Sequence, residues 1–266
     1  MYIDNFCPRG ARETWRDQSR VPLINGAIDA LMALKLLQSH PRSNGKFGTT
    51  GHSRGGTNSF FLADVKLTSK FLGGTKGFDA ILPEAAECRM AGFFTEPELT
   101  SNTTMLVVHG GADDYTLAKF CKEHAERIKA PPGKVKIDIK EGWYHAWAAG
   151  KKPWREKMAM TLHDCPDFYV DNDGRFTNPT WVEWMVNKHK KYASEDAFYE
   201  AAQENPSKAW KTGFKIMKKE KCISKGVTIG GDNMDVYMPQ FINSVSYTHL
   251  RAHETSLHLV CRLLLE

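Results

Sequence analysis

The sequence predicts an α/β fold built on a mostly parallel, doubly wound sheet, and three observations point there. The run Gly51-His52-Ser53-Arg54-Gly55 lies between a strand-like piece, Lys46 to Thr50, and a helix-like piece, Thr57 to Val65. A second apolar run, Met105 to Val108, ends in the acid-bearing loop His109-Gly110-Gly111-Ala112-Asp113-Asp114. A third strand, Lys134 to Lys140, follows a helix-like segment, Leu117 to Ala130, that closes on Pro131-Pro132-Gly133. Strands alternating with helices in this way read as βαβ units, whose strands run parallel.

Each element has its own signal. Leu23 to Gln38 carries Ile24, Ala27, Ile28, Leu31, Leu34 and Leu37 near helical spacing, between Pro22 and Pro41, and reads as a core-facing helix. Gly51 to Gly55 is a G-x-S-x-G motif on a strand-to-helix turn, which lifts the serine hydroxyl clear of the sheet. Side chains at Gly51 and Gly55 are expected to crowd that turn, which holds Ser53 in a strained conformation. Lys134 to Lys140 alternates Val135, Ile137 and Ile139 with polar residues and runs into Glu141-Gly142-Trp143-Tyr144-His145. Further on, Phe168 to Phe176 is hairpin-like. Asp171, Asp173 and Gly174 there read as a type I turn and not as a calcium loop, because Tyr169 and Thr180 hold its first and last ligand positions. Trp181 to Lys190 and Ala193 to Ala202 read as helices, and Asn205-Pro206-Ser207 starts a closing helix that runs to about Lys221. The expected organisation is a core over 1–150, with 151–243 as an extension plus closing helix of the same domain.

The chemistry follows from the chain order serine, acid, histidine, each just past a strand. A serine hydroxyl is a weak nucleophile until a neighbouring base takes its proton. His145 is the candidate base, since an imidazole titrates near neutrality and can return the proton to the leaving group. An acid holds that imidazole in the required tautomer. Asp113 is the first choice and Asp114 the runner-up, with a turn or N-cap aspartate as the alternative role at this position. The backbone N–H of Arg54, at the start of a helix, is a candidate oxyanion donor. Trp143, Tyr144 and Trp147, with Trp154 nearby, either line an apolar substrate pocket or pack the histidine loop against the extension. His52 and His109 read as structural.

Composition excludes several classes. The 266 residues are 41% hydrophobic and 11% aromatic, enough for a sizeable core, and no run approaches the ~20 apolar residues of a membrane helix. The net charge is +5, and the basic clusters Lys151-Lys152, Lys188 to Lys191 and Lys215 to Lys221 read as solvated helix faces and not as a nucleic-acid surface. No Walker or dinucleotide loop is present, and Cys7, Cys88, Cys121, Cys165 and Cys222 show no zinc spacing, so no cofactor or metal is expected. Cys165 with Cys222 is the candidate pair for a disulfide in an oxidising compartment.

Asp4-Asn5-Phe6-Cys7-Pro8-Arg9-Gly10, Gly45 to Gly48 leading into Gly51-His52-Ser53-Arg54-Gly55-Gly56, and Phe78 to Pro83 resemble the dienelactone hydrolase-like branch of the α/β-hydrolases. Gly111 to Thr116 and Tyr144-His145-Ala146-Trp147 resemble that branch's acid and histidine loops. The resemblance spans about residues 2 to 150 and implies cofactor-free hydrolysis of small esters or lactones. True dienelactone hydrolases use a cysteine nucleophile where this chain has Ser53, so a generic serine esterase is the better expectation. A serine peptidase of the prolyl-oligopeptidase kind and an inactive hydrolase-like interaction protein are the alternatives. In the family, earlier strands and a loop with a second oxyanion amide precede the position of Tyr2-Ile3-Asp4. The expectation is therefore of missing N-terminal strands, and of a polypeptide that is inactive or insoluble although its parent gene encodes an active enzyme. At the other end, Val245 to Thr255 and Leu259 to Glu266 resemble a translated sequencing adapter, which sets 244–266 apart from the fold.

Overall fold

A computed structural model describes residues 1–233 apart from Tyr2, Arg16 and Thr75; the adapter-like tail lies outside the described residues. Helix α1 (Ile24–Gln38) precedes strand β1 (Gly48–His52), which turns directly into α2 (Arg54–Phe61) and then α3 (Val65–Leu72). Strands β2 (Ala80–Glu84) and β3 (Thr104–Gly110) follow, then α4 (Ala118–Arg127) and β4 (Val135–Lys140). The four strands form one parallel sheet in the order β1-β2-β3-β4, so the α/β class with a parallel sheet is as the sequence predicts. Helix α2 starts three residues earlier than its periodicity indicates. The pattern at Thr57 to Val65 merges two helices that break at Leu62 to Asp64, where the Asp64 side chain caps α3 by accepting from the Lys66 N–H.

Alternation along the strands sends neighbouring side chains to opposite faces. Ile81, Met105 and Val107 face a core made with Leu31 and Leu34 of α1, Phe60 and Phe61 of α2, and Cys121 and Ala125 of α4. Leu82 and Val108 face the other way and are covered by the fully buried Trp147. Cys88 and Cys121 are joined by a disulfide that the sequence reading did not anticipate.

Beyond the sheet, β5 (Lys151–Thr161) pairs antiparallel with β6 (Ser224–Gly231). This ribbon corrects two readings: Lys151-Lys152 open a strand and not a solvated helix face, and the extension is not only helices and a hairpin. Charge and Pro153 mask the strand signal. Between the two strands lie α5 (Thr180–Val182), continuing as a π-helical stretch to Lys188, α6 (Glu195–Glu204) and α7 (Pro206–Lys219). The Phe168 to Phe176 segment is a tight turn with a Val170–Phe176 bridge, in line with its turn residues. The extension has its own apolar cluster, including Met160, Phe168, Trp181, Phe214 and Met217, and the expected Cys165–Cys222 disulfide lies within it.

Candidate active site

The carboxyl ends of β1, β3 and β4 meet at one rim, and each delivers one of the predicted residues. Ser53 caps α2 with φ 56° and ψ −118°, the left-handed side of conformational space that a residue with a side chain enters only at a cost of about 1–3 kcal/mol. The surroundings hold it there: its N–H donates to the Glu84 carbonyl at 2.8 Å, and its own carbonyl accepts from the Thr57 N–H at 3.0 Å. A Cβ on Gly51 would lie 2.4 Å from the Gly55 carbonyl carbon, and one on Gly56 would lie 2.2 Å from the Glu84 carbonyl oxygen. At Gly55 a Cβ would meet nothing within 4 Å. The steric requirement therefore falls on Gly51 and Gly56, not on Gly51 and Gly55 as the motif alone indicates.

His145 arrives on the loop after β4. Its Nε2 lies 2.8 Å from Ser53 Oγ and its Nδ1 lies 2.7 Å from Asp113 Oδ2. Asp113 is buried and does two jobs at once: Oδ1 accepts the N–H groups of Tyr115 and Thr116 at 2.8 and 2.9 Å, which leaves Oδ2 to face the imidazole. Burial pushes its carboxyl upward, but the charge and hydrogen bond of His145, with His109 and the Thr116 N–H, outweigh burial and hold it below the ordinary carboxylate range. Asp114 points elsewhere, accepting from Arg155 Nη1 at 2.9 Å and from the Thr228 N–H at 2.6 Å. It does not cap α4, whose N-cap residue is Leu117. The turn role weighed as the alternative at Asp113 is thus performed by Asp113 alongside its contact with His145.

Three groups support this arrangement, of which the sequence reading singled out only His52, as a structural residue. Thr116 Oγ1 lies 3.0 Å from both Asp113 Oδ2 and the Ala85 carbonyl oxygen; an aspartate followed three residues later by threonine is the available signal. His52 Nε2 accepts the Ala146 N–H at 3.2 Å, fixing the backbone just past His145, where Ala146 has φ 56°. Burial pulls the His52 ring below its ordinary value, which keeps it neutral and able to accept. His109 is buried with Nε2 3.3 Å from the Ala86 carbonyl, so the structural reading of both histidines matches their contacts. The third group is strand β6. Its Gly230 N–H donates to the His145 carbonyl at 2.6 Å, and Thr228 holds the acid loop through Asp114. Gly230, at φ +103°, lies under the Trp154 ring, where a Cβ would come within 2.5 Å of the indole.

A small cleft of about 30 Å³ opens beside Ser53, lined among others by Leu23, Arg54, Glu87, Tyr115, Met160 and Leu162. Trp143, Tyr144 and Trp147 do not line it. Trp147 is fully buried, edge-on to His52 at 4.8 Å and 5.5 Å from the Trp143 ring, so these two indoles pack the histidine loop. Arg54, the first residue of α2, has a backbone N–H without an intrahelical acceptor. Its side chain donates through Nη2 to the Val21 carbonyl, and burial lowers the guanidinium to about 10. Burial likewise raises Tyr115 to about 12, so its phenol stays protonated beside the serine. Among the described residues, no group of three or more His, Cys, Asp or Glu is placed to hold a metal ion, and no helix is long and apolar enough to cross a membrane.

No family model and no curated protein matches the chain. Solved structures to which it is similar include α/β hydrolases and an esterase. MGS-M1, an α/β hydrolase from a Medee basin deep-sea metagenome library, is 22% identical at a TM-score of 0.37 over 53% of this chain and 57% of that one. XC6422 from Xanthomonas campestris, a serine hydrolase without a lid, is 16% identical at a TM-score of 0.33 over 44% of this chain and 47% of its own. Esterase Est2 from Thermogutta terrifontis with bound propionate is 17% identical at a TM-score of 0.35, over 47% and 57%. The chain spans about half the length of these structures.

Proposed function

We propose that this chain is a serine hydrolase of the α/β-hydrolase superfamily that cleaves carboxylic esters or lactones through an acyl-enzyme. The observation that carries the reading is the unbroken relay from Asp113 Oδ2 to His145 Nδ1 at 2.7 Å and from His145 Nε2 to Ser53 Oγ at 2.8 Å. Asp113, acceptor-only as a carboxylate, accepts the hydrogen bond of the Nδ1–H, which keeps the proton on Nδ1 and leaves Nε2 with a lone pair aimed at the serine. Ser53 Oγ then attacks the ester carbonyl while its proton passes to Nε2. The developing oxyanion is met by the Arg54 N–H at the positive end of α2. Collapse expels the alcohol, protonated by His145, and water repeats the sequence to release the acid.

The strained backbone at Ser53 favours the same reading, because such conformations persist where the surroundings enforce them and cluster at reactive sites. The α/β-hydrolase core over 1–150 and the extension from 151 would act as one unit, since β6 braces both reactive loops. The dienelactone-like branch remains part of the proposal, with Ser53 in place of its cysteine. Hydrolysis of p-nitrophenyl esters by the full-length gene product, compared with aminoacyl-anilides and with a Ser53→Ala control, tests it. Ester turnover that Ser53→Ala abolishes is expected. Turnover surviving that substitution refutes the mechanism, and preference for the anilides selects the peptidase alternative.

A further inference from the structure

An apolar hollow lies between the start of α1 and the extension. It has a volume of about 300 Å³ and is walled by side chains such as Leu23, Met90, Phe168, Trp181, Trp210 and Met217. No charged side chain lines it. Its size and almost wholly apolar walls are those of a small-molecule pocket. It adjoins the small cleft at Ser53 through one shared wall residue, Leu23. Met160 and Leu162 of that cleft belong to the same apolar cluster as Met90, Phe168, Trp181 and Met217 of the hollow.

We infer that the hollow is an acyl-chain site, and that the preferred substrates are esters of unbranched fatty acids of medium length. The inference rests on the ester-hydrolase reading above and adds the acyl half of the substrate. An apolar cavity of ~150 Å³ accommodates the six carbons of benzene, so about 300 Å³ accommodates roughly twice that number. With the carbonyl at Ser53, the chain passes Leu23 and lies among the aromatic rings of the extension. No polar group in the hollow asks for a hydrogen-bonding partner along its length. Each methylene so buried raises kcat/KM about threefold to fourfold.

The test is the ratio of kcat/KM for p-nitrophenyl octanoate to that for the acetate, in the full chain and two opposed variants. Ala209→Phe fills the hollow from α7, and Leu23→Ala opens the wall between hollow and cleft. Octanoate is expected to exceed acetate by at least tenfold. Ala209→Phe should cut that ratio at least tenfold, and Leu23→Ala should raise it. General damage to the fold would move both variants the same way. If Ala209→Phe fails to fold, Gly213→Leu replaces it: a Cβ there meets only Met185 Cε, at an ordinary 3.5 Å. Binding of decanoate to the Ser53→Ala protein, measured by calorimetry, needs no turnover. Decanoate binding that the filling variant weakens at least tenfold supports the site. Ser53-dependent acetate hydrolysis with no chain-length preference and no decanoate binding overturns the acyl site and leaves the hydrolase reading standing. Loss of all Ser53-dependent hydrolysis with decanoate still bound refutes the hydrolase reading instead.

Discussion

Substituting Asp113 by asparagine isolates what the buried carboxylate contributes. The two oxygens of its carboxylate are already differentiated: Oδ1 is committed to the Tyr115 and Thr116 N–H groups, and Oδ2 faces His145 Nδ1. An asparagine keeps its carbonyl oxygen on the two N–H donors and so presents its NH₂ to Nδ1. That donor forces the imidazole proton onto Nε2, which then faces Ser53 Oγ as a donor and can no longer accept its proton. Geometry is retained while the base is disabled. A wrong tautomer of this kind costs about 10⁴ in kcat in a serine protease, equivalent to about 5 kcal/mol of transition-state stabilisation. The assay is kcat/KM on a p-nitrophenyl ester, with thermal unfolding run alongside to show that the fold is kept. Asp114→Asn is the control. That side chain bonds Arg155 and Thr228 and not the imidazole, so activity within about tenfold of the parent is expected. Asp113→Asn retaining more than a tenth of the activity, or Asp114→Asn losing as much as its neighbour, would refute the assignment.

Three further outcomes follow from the packing. Gly56→Ala drives a methyl into the Glu84 carbonyl and should abolish activity with loss of fold stability, whereas Gly55→Ala has open space and gains helix propensity of about 0.5–1 kcal/mol; activity and thermal melts on the pair check this. His124, stacked on Phe93 at 4.1 Å, is lowered to about 3 by burial and then by Arg127, from an ordinary 6.5. Below pH 6.5 the unfolded chain takes up a proton that the folded ring refuses, so stability present above pH 6.5 is lost as pH falls toward 3. About 2 kcal/mol should go between pH 6.5 and 4.5, and His124→Phe should remove that share of the slope in urea unfolding. Replacing Cys165 and Cys222 together by alanine opens a loop with a sequence separation of 57 and should lower the unfolding free energy by about 4 kcal/mol, measured by denaturant titration without reductant.

How much of this was legible beforehand depended on how local the signal was. The elbow at Ser53, the strand at Met105 and the helix from Pro206 each announce themselves within a few residues, through glycine, apolar runs and proline at a helix start. Convergence of Ser53, Asp113 and His145 was legible only as an order along the chain, because strand ends in a parallel sheet share one edge. What escaped was long-range. Strand β5 reads as charged and proline-broken, and it becomes a strand only by pairing with residues around 224–231. The choice between Gly55 and Gly56 depends on how closely α2 approaches β2, and no motif encodes that distance. The same holds for Trp147: an aromatic beside a reactive histidine fits a pocket wall or a packing wedge equally well until the face it covers is known.

The brace from β6 carries a consequence for biosynthesis. Every reactive side chain is translated within the first 145 positions, yet the backbone donors that fix the imidazole and acid loops come from Thr228 and Gly230. At ribosomal speeds of about 5–20 residues per second, several seconds separate the two events. Throughout that interval the nascent polypeptide holds Ser53, Asp113 and His145 without the clasp, so on the proposed function competence would be acquired late.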